Sequence, residues 1–191
     1  MNSIRKICKE KLTKPAQDIA KSNQMWNKRA GEMHLLSIKG HYDGYMEFFK
    51  QHAELKGASV IDLGCGAGRY LKLLLDEGAL AEGLEPSTEM IKYAKKYLAE
   101  SSYNPDSVAV YNTSFQDFKP EKEYDYVFIS NSPITGYYES YEKILKLAKK
   151  GIFIGEWIER KDLFFERLVR DMGKEVKRQL AFDIYYYFNL F

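Results

Sequence analysis

Short apolar runs alternate with amphipathic segments from residue 59 onward. Each run lasts five to seven residues, and its unbroken apolar character is typical of a strand buried on both faces. The alternation predicts parallel strands joined by crossover helices. The predicted strands cover residues 59–63, 80–84, 108–112, 124–130 and 151–157.

Between these runs, apolar residues recur at helical spacing, and we expect each stripe to pack on the sheet. One helix is predicted over about residues 69–77, and Ser87 or Thr88 is a suitable N-cap for the next one. The stripes are formed by Leu71, Leu74 and Leu75; by Met90, Ile91, Ala94, Tyr97 and Leu98; by Tyr141, Ile144, Leu145 and Ala148; and by Phe164, Phe165, Leu168, Val169 and Met172.

The two ends of the chain depart from this alternation. Residues 1–55 are predicted to form a helical N-terminal extension that covers an open end of the sheet, and residues 56–191 form the α/β core of a single domain. The last eight residues, IYYYFNLF, are uncharged. We expect this tail to form a strand or short helix packed on the core. Because large apolar patches promote association, a homodimer through the tail and a chain that stops before its last structural elements are the alternatives.

Composition narrows the class of protein. The 191 residues carry 29 basic and 27 acidic side chains, a net charge of +2 that favours neither a nucleic-acid partner nor a membrane surface. The two cysteines support neither a disulfide framework nor a metal site, and no apolar run approaches the roughly 18 residues of a membrane helix. We therefore expect a cytoplasmic protein that binds no metal.

The stretch VIDLGCGAGRY, residues 60–70, predicts a strand, a glycine-rich turn and a helix, an arrangement that binds anionic or nucleotide ligands. Gly64, Gly66 and Gly68 are spaced G-x-G-x-G, whereas a dinucleotide fingerprint requires a third glycine where Arg69 stands. Glu85 ends the second predicted strand, where a carboxylate can accept hydrogen bonds from ribose hydroxyls. The pattern predicts an adenosine-type ligand.

The two stretches VIDLGCGAGRY and AEGLEPSTEMIKYAKKYL resemble the first two motifs of the class I S-adenosylmethionine-dependent methyltransferases. The resemblance spans about residues 60–157 and implies a Rossmann-like, doubly wound, mainly parallel sheet. It also implies that S-adenosyl-L-methionine is the cofactor. By this resemblance the methionine and ribose portion contacts Asp62, Gly64, Cys65, Gly66 and Gly68, Glu85 binds the ribose hydroxyls, and Pro86, Ser87 and Met90 lie beside the adenine.

Two positions depart from that family. The acidic residue that usually meets the adenine amino group is replaced by Ser114, and Ser114, a backbone N–H near Phe115 or a shifted Asp117 are the alternatives. We favour Ser114 and Phe115. After the fourth strand Asn131, with Ser132 and Pro133, resembles in part the N-P-P-Y pattern of amino-group methyltransferases; a polar turn is the alternative interpretation.

The function predicted from these features is a methyltransferase acting on a small molecule. The segment MWNKRA resembles an entry helix of the family, in which Trp26 and Arg29 contact the ligand or instead pack and face solvent. We assign no catalytic residue, although His34, His41, Tyr42 and Tyr137 are candidate bases. A noncatalytic cofactor-binding protein is the alternative, and a nucleotide-dependent oxidoreductase is disfavoured by the glycine spacing.

Overall fold

The computed structural model describes residues 2–12, 19–39, 44–157 and 163–175. The expected helical extension is present as α1 (Asn2–Lys11), α2 (Ile19–Ile38) and α3 (Gly44–His52). The predicted apolar tail and the candidate bases His41 and Tyr42 lie outside the described residues. None of the described helices has the length and apolar character needed to cross a bilayer.

The rest of the described chain forms a five-stranded parallel sheet with the strand order β3-β2-β1-β4-β5. This architecture confirms the predicted fold class. The strands are β1 (Ser59–Leu63), β2 (Leu80–Leu84), β3 (Val110–Tyr111), β4 (Tyr124–Ser130) and β5 (Ala148–Gly155); the helices between and after them are α4 (Arg69–Asp76), α5 (Thr88–Glu100), α6 (Tyr138–Leu147) and α7 (Leu163–Asp171).

Helices cover both faces of the sheet, and neighbouring residues of β1 point to opposite sides. Val60 packs with Leu71 and Leu74 of α4 and with Phe49 of α3, whereas Ile61 belongs to the cluster on the other face. This alternation is the period of two that a strand imposes, and it explains why β1 is apolar at successive positions. The second cluster contains Cys8 of α1 and Leu12 directly after that helix, together with Phe115, Phe118, Val127, Ile129, Tyr141 and Ile144.

Two strands differ from their predicted bounds. Strand β3 ends at Tyr111 because the N–H of Thr113 turns back to the Tyr111 carbonyl, 3.1 Å away, and leaves the ladder. Strand β5 begins at Ala148, which we predicted to be helical, because Tyr124 already pairs with that residue. Apolar spacing locates the change from helix to strand only approximately, since Ala148 suits either.

Helix α7 forms where predicted, but its stripe is not covered as expected. Phe164, Leu168 and Met172 are all exposed, so the prediction that these side chains pack on the sheet is wrong. A periodic stripe specifies which side of a helix is apolar but does not specify what covers it.

The strand order determines where the ligand-binding crevice lies. The chain runs from β1 through β2 to β3 on one side and continues with β4 and β5 on the other side of β1. The connections therefore diverge between β1 and β4, and open parallel sheets bind ligands outside the carboxyl ends of their strands at such a point.

Candidate functional site

The glycine-rich turn follows β1 at this crevice, and its three glycines have different surroundings. All three have positive φ angles, of 88°, 52° and 84° for Gly64, Gly66 and Gly68. A Cβ atom on Gly68 would lie 2.9 Å from the Cβ of Ala94 in α5, whereas a Cβ on Gly66 would meet nothing within 4 Å. Gly68 thus permits close helix packing, while Gly66 presents bare backbone to open space.

Glu85 closes the turn from the end of β2. Its carboxylate oxygens accept hydrogen bonds from the N–H groups of Gly66 at 3.1 Å and Ser87 at 2.8 Å. Burial raises the pKa of Glu85, and these two backbone hydrogen bonds oppose the rise. A carboxylate has about four acceptor positions, so Glu85 retains capacity for two hydroxyl donors.

Asp62 lies directly before the turn and is fully buried. Its Oδ2 atom has no hydrogen-bond partner among the described residues. Burial and then the charge of Glu85 raise the pKa of Asp62 to about 8. A positive charge placed beside these two buried carboxyl groups would favour their ionised forms.

A cavity of about 330 Å³ opens over the turn. Nine of the twelve predicted cofactor residues line it, which are Gly64, Cys65, Gly66, Glu85, Pro86, Met90, Ser114, Phe115 and Asn131. The other three support its wall: Asp62 lies before the turn, Gly68 caps α4, and Ser87 caps α5 by accepting a hydrogen bond from the Met90 N–H. The predicted contacts themselves stay predictions.

Helix α2 forms the opposite wall of the cavity. Trp26 and Met33 line it and pack with Ala67 of the turn and Met90 of α5. The side-chain oxygen of Asn27 accepts hydrogen bonds from the Ser87 hydroxyl at 2.6 Å and the Glu89 N–H at 3.2 Å. The N-terminal extension is thereby joined to the loop that carries Glu85.

Residues 60–151 match the model of the methyltransferase domain family, and this segment contains the turn, Glu85, strands β2 to β4 and all of β1 except Ser59. Over this segment, just under half of its length, the chain is similar to the methyltransferase domain family. The chain is 32% identical over 102 residues to a ubiquinone biosynthesis O-methyltransferase of Coxiella burnetii, covering 53% of this chain and 41% of the relative. The chain therefore spans less than half the length of that relative.

Two further proteins align over more of the chain. An uncharacterized methyltransferase of Geobacillus sp. is 26% identical over 165 residues, which cover 73% of this chain and 75% of the relative. The crystal structure of magnesium protoporphyrin IX methyltransferase from Synechocystis with bound SAH aligns with a TM-score of 0.63 at 15% identity, over 91% of this chain and 88% of that one. This second likeness supports the fold alone.

The end of the cavity near β3 has no acid among the predicted residues that line it. Ser114 donates its hydroxyl to the Asp117 carboxylate at 2.6 Å and accepts the Asp117 N–H at 3.1 Å. Asp117 is exposed and does not belong to the cavity lining. Both side chains are therefore engaged with each other, and the lining at this end is completed by Phe115 and Gln116.

Several side chains that we considered as ligands or bases lie elsewhere. Arg29 is a surface residue paired with Glu32, and its guanidinium lies 5.3 Å from the centre of the Trp26 ring. His34 is buried against Tyr93 of α5, outside the cavity lining, and Tyr137 is also outside it. Trp26 thus lines the cavity, whereas Arg29 does not.

Asn131 begins the loop after β4 and has a positive φ of 48°. Its N–H donates to the Gly155 carbonyl at 2.7 Å, which fixes the loop to the end of β5. The next residue, Ser132, is so close to the turn that a Cβ on Gly64 would lie 2.8 Å from its hydroxyl oxygen. The loop and the turn therefore form one continuous wall.

Sequence reasoning missed three polar residues of the site. Asn27, Gln116 and Asn112 were not singled out, yet Asn112 donates from its side-chain amide to the carbonyls of Glu85 at 3.1 Å and Pro86 at 3.0 Å. The position of Asn27 within MWNKRA and that of Asn112 at a predicted strand end were the available signals. Neither signal specified a partner.

Proposed function

We propose that this protein is an S-adenosylmethionine-dependent methyltransferase that transfers a methyl group by in-line displacement to a small-molecule acceptor. The single observation that carries the proposal is the buried Glu85 carboxylate, tied to the Gly66 and Ser87 N–H groups beside bare glycine backbone at the cavity wall. This arrangement fits a ribose with two hydroxyls. The names of the relatives support methyl transfer to a small molecule.

The cavity fits such a cofactor chemically. Glu85 would bind the ribose hydroxyls, and Gly66 allows the ligand close to the main chain. Asp62 carries a proton at neutral pH because its pKa is raised to about 8, and a cationic ligand beside it and Glu85 would favour the ionised form of both carboxyl groups. When bound, the cofactor supplies a methyl group that its own positive sulfonium activates.

The protein's contribution to the reaction is alignment and exclusion of water. Apolar side chains of α2 and of the loop after β4, among them Trp26, Met33 and Ile134, line the cavity. Positioning the acceptor about 3 Å from the methyl carbon supplies several kcal/mol of the barrier reduction. Asn131, which lines the cavity directly after β4, would lie beside the methyl group, and we assign no catalytic base.

Isothermal titration with S-adenosylhomocysteine tests the proposal. Because hydrogen bonds to a charged group contribute about 1.5–3 kcal/mol, Glu85→Ala should weaken binding about 100-fold or more. Glu77→Ala, which removes a carboxylate paired with Lys50 at the surface, should bind like the wild type. Binding of a nicotinamide dinucleotide in place of either form of the cofactor would refute the proposal.

A second measurement separates catalysis from binding. Tight binding with no methyl transfer to any of a broad panel of acceptors would favour a noncatalytic protein. The single-domain organisation, with residues 1–55 as an extension of the core at 56–191, and a cytoplasmic location are parts of the same proposal. The two free, buried cysteines, Cys8 and Cys65, are compatible with that location.

A further inference from the structure

Lys143 of α6 binds the loop that follows β3, on the side of the loop away from the cavity. Its ammonium group donates hydrogen bonds to the main-chain carbonyls of Phe115 and, at 3.2 Å, of Gln116. It also lies 4.7 Å from the centre of the Phe115 ring, within the range of a cation–π contact. Phe115 and Gln116 line the cavity, whereas Lys143 does not.

The placement of this lysine is unusual for a cation. Both of its acceptors are neutral carbonyl groups, and the nearest carboxylate that acts on it is Asp117. Burial lowers the pKa of Lys143, and the charge of Asp117 opposes that shift. A half-buried lysine held by two carbonyls of one loop fixes the orientation of that loop.

The orientation matters because of peptide geometry. In a trans peptide the carbonyl and the following N–H point in opposite directions. Lys143 binds the Phe115 carbonyl and does not belong to the cavity lining, so we infer that the Gln116 N–H, which points the opposite way, faces the cavity. Within the described part of the chain this N–H donates to no acceptor, while the Asp117 and Phe118 N–H groups are bound to Ser114.

We propose that Lys143 is a positioning residue that directs the Gln116 N–H towards a ring nitrogen of the ligand's purine base. The inference rests on the proposed function. It explains how this site recognises a base although Ser114 replaces the usual acid and Asp117 is engaged with Ser114. The lysine acts through the main chain and does not itself contact the ligand.

The test compares two ligands that differ only by the base. S-adenosylhomocysteine carries the purine and S-ribosylhomocysteine lacks it, so the ratio of their dissociation constants measures recognition of the base. Lys143→Met keeps the apolar stem and removes the donor. Because one net hydrogen bond is lost, the dissociation constant of S-ribosylhomocysteine divided by that of S-adenosylhomocysteine should fall about tenfold in this variant. The affinity for S-ribosylhomocysteine itself should be unchanged.

Lys143→Arg, which keeps a cationic donor, should restore most of the ratio. Lys146→Met is the matched control, since Lys146 is exposed on the same helix. If Lys143→Met does not fold, Lys143→Leu, whose shorter apolar side chain also lacks a donor, provides the same comparison. Equal losses of affinity for both ligands, or an unchanged ratio, would overturn the inference. Wild-type protein that binds neither ligand would instead refute the proposed function itself, and the inference with it.

Discussion

Gly66→Ala offers the sharpest test of the glycine turn because the chain contains a matched control. Gly66 and Gly57 both have positive φ angles, of 52° and 74°, and a Cβ on either would meet no atom within 4 Å. Only Gly66 lines the cavity. The two substitutions therefore impose the same type of backbone strain, and only one of them adds a methyl group to the ligand's side of the turn.

The expected magnitudes follow from these surroundings. An L-residue in the left-handed region costs about 1–2 kcal/mol, so both variants should lose that much free energy of unfolding. At Gly66 the added carbon also projects about 1.5 Å from the backbone into the cavity. Because an extra methyl group forced into a packed contact costs about 1–3 kcal/mol, we expect about a tenfold loss of affinity for S-adenosylhomocysteine with Gly66→Ala alone.

Urea denaturation measures the first quantity and isothermal titration the second. The slope of the denaturation curve should be the same for the wild type and both variants, which shows that stability and not the extent of unfolding has changed. An unchanged dissociation constant for Gly66→Ala would refute the assignment of this backbone to the ligand. So would an equal loss of affinity for Gly57→Ala, since strain alone would then explain both.

Three further predictions concern the surroundings of the turn. Burial raises the pKa of Asp62 from 3.8 to about 8, so the stability that its proton confers is complete below pH 4 and is lost as the pH rises to 8. Between pH 4 and 8, urea denaturation should show that the free energy of unfolding of the wild type falls by up to about 5 kcal/mol relative to that of Asp62→Asn. The same pH dependence in both proteins would contradict this prediction. In Gly83→Ala the new Cβ would lie 2.7 Å from the Cys65 sulfur, so thermal unfolding should show a free energy of unfolding lower by about 1–3 kcal/mol. Adding Cys65→Ala should restore part of this loss, whereas strictly additive effects of the two substitutions would exclude the contact. Asn27→Ala removes the acceptor of the Ser87 hydroxyl and should lower the free energy of unfolding by about 1 kcal/mol in calorimetry, whereas retention of full stability would show that Asn27 does not fix α2.

The parts of the site that the sequence predicted are those built from neighbouring residues. The turn, Glu85 and the Ser87 cap each follow a strand end or precede a helix start, so local spacing was sufficient to locate them. Strands β1, β2 and β4 have the predicted bounds because their apolar runs end at clear breaks. Local pattern thus determined the half of the site around the first two motifs.

The remaining parts depend on residues that are distant in the chain. Asn27 meets Ser87 across 60 residues, and Lys143 meets Gln116 across 27. No periodicity indicates such a pairing, because it results from the way the helices pack on the sheet. Asp117 shows the same limitation: its proximity to Ser114 in sequence suggested a replacement acid, but its carboxylate accepts the Ser114 hydroxyl.

The two buried thiols can serve as built-in probes of local opening in this protein. Cys8 is 1% exposed on the buried side of α1, and Cys65 is 6% exposed within the turn. Burial, followed by the charges of Asp62 and Glu85, raises the pKa of Cys65. Thiols so shielded react with alkylating reagents only when their surroundings open. The labelling rate of Cys8 would therefore report detachment of α1, and that of Cys65 would report opening of the turn. Slower labelling of Cys65 alone when ligand is added would separate local closure from global stabilisation.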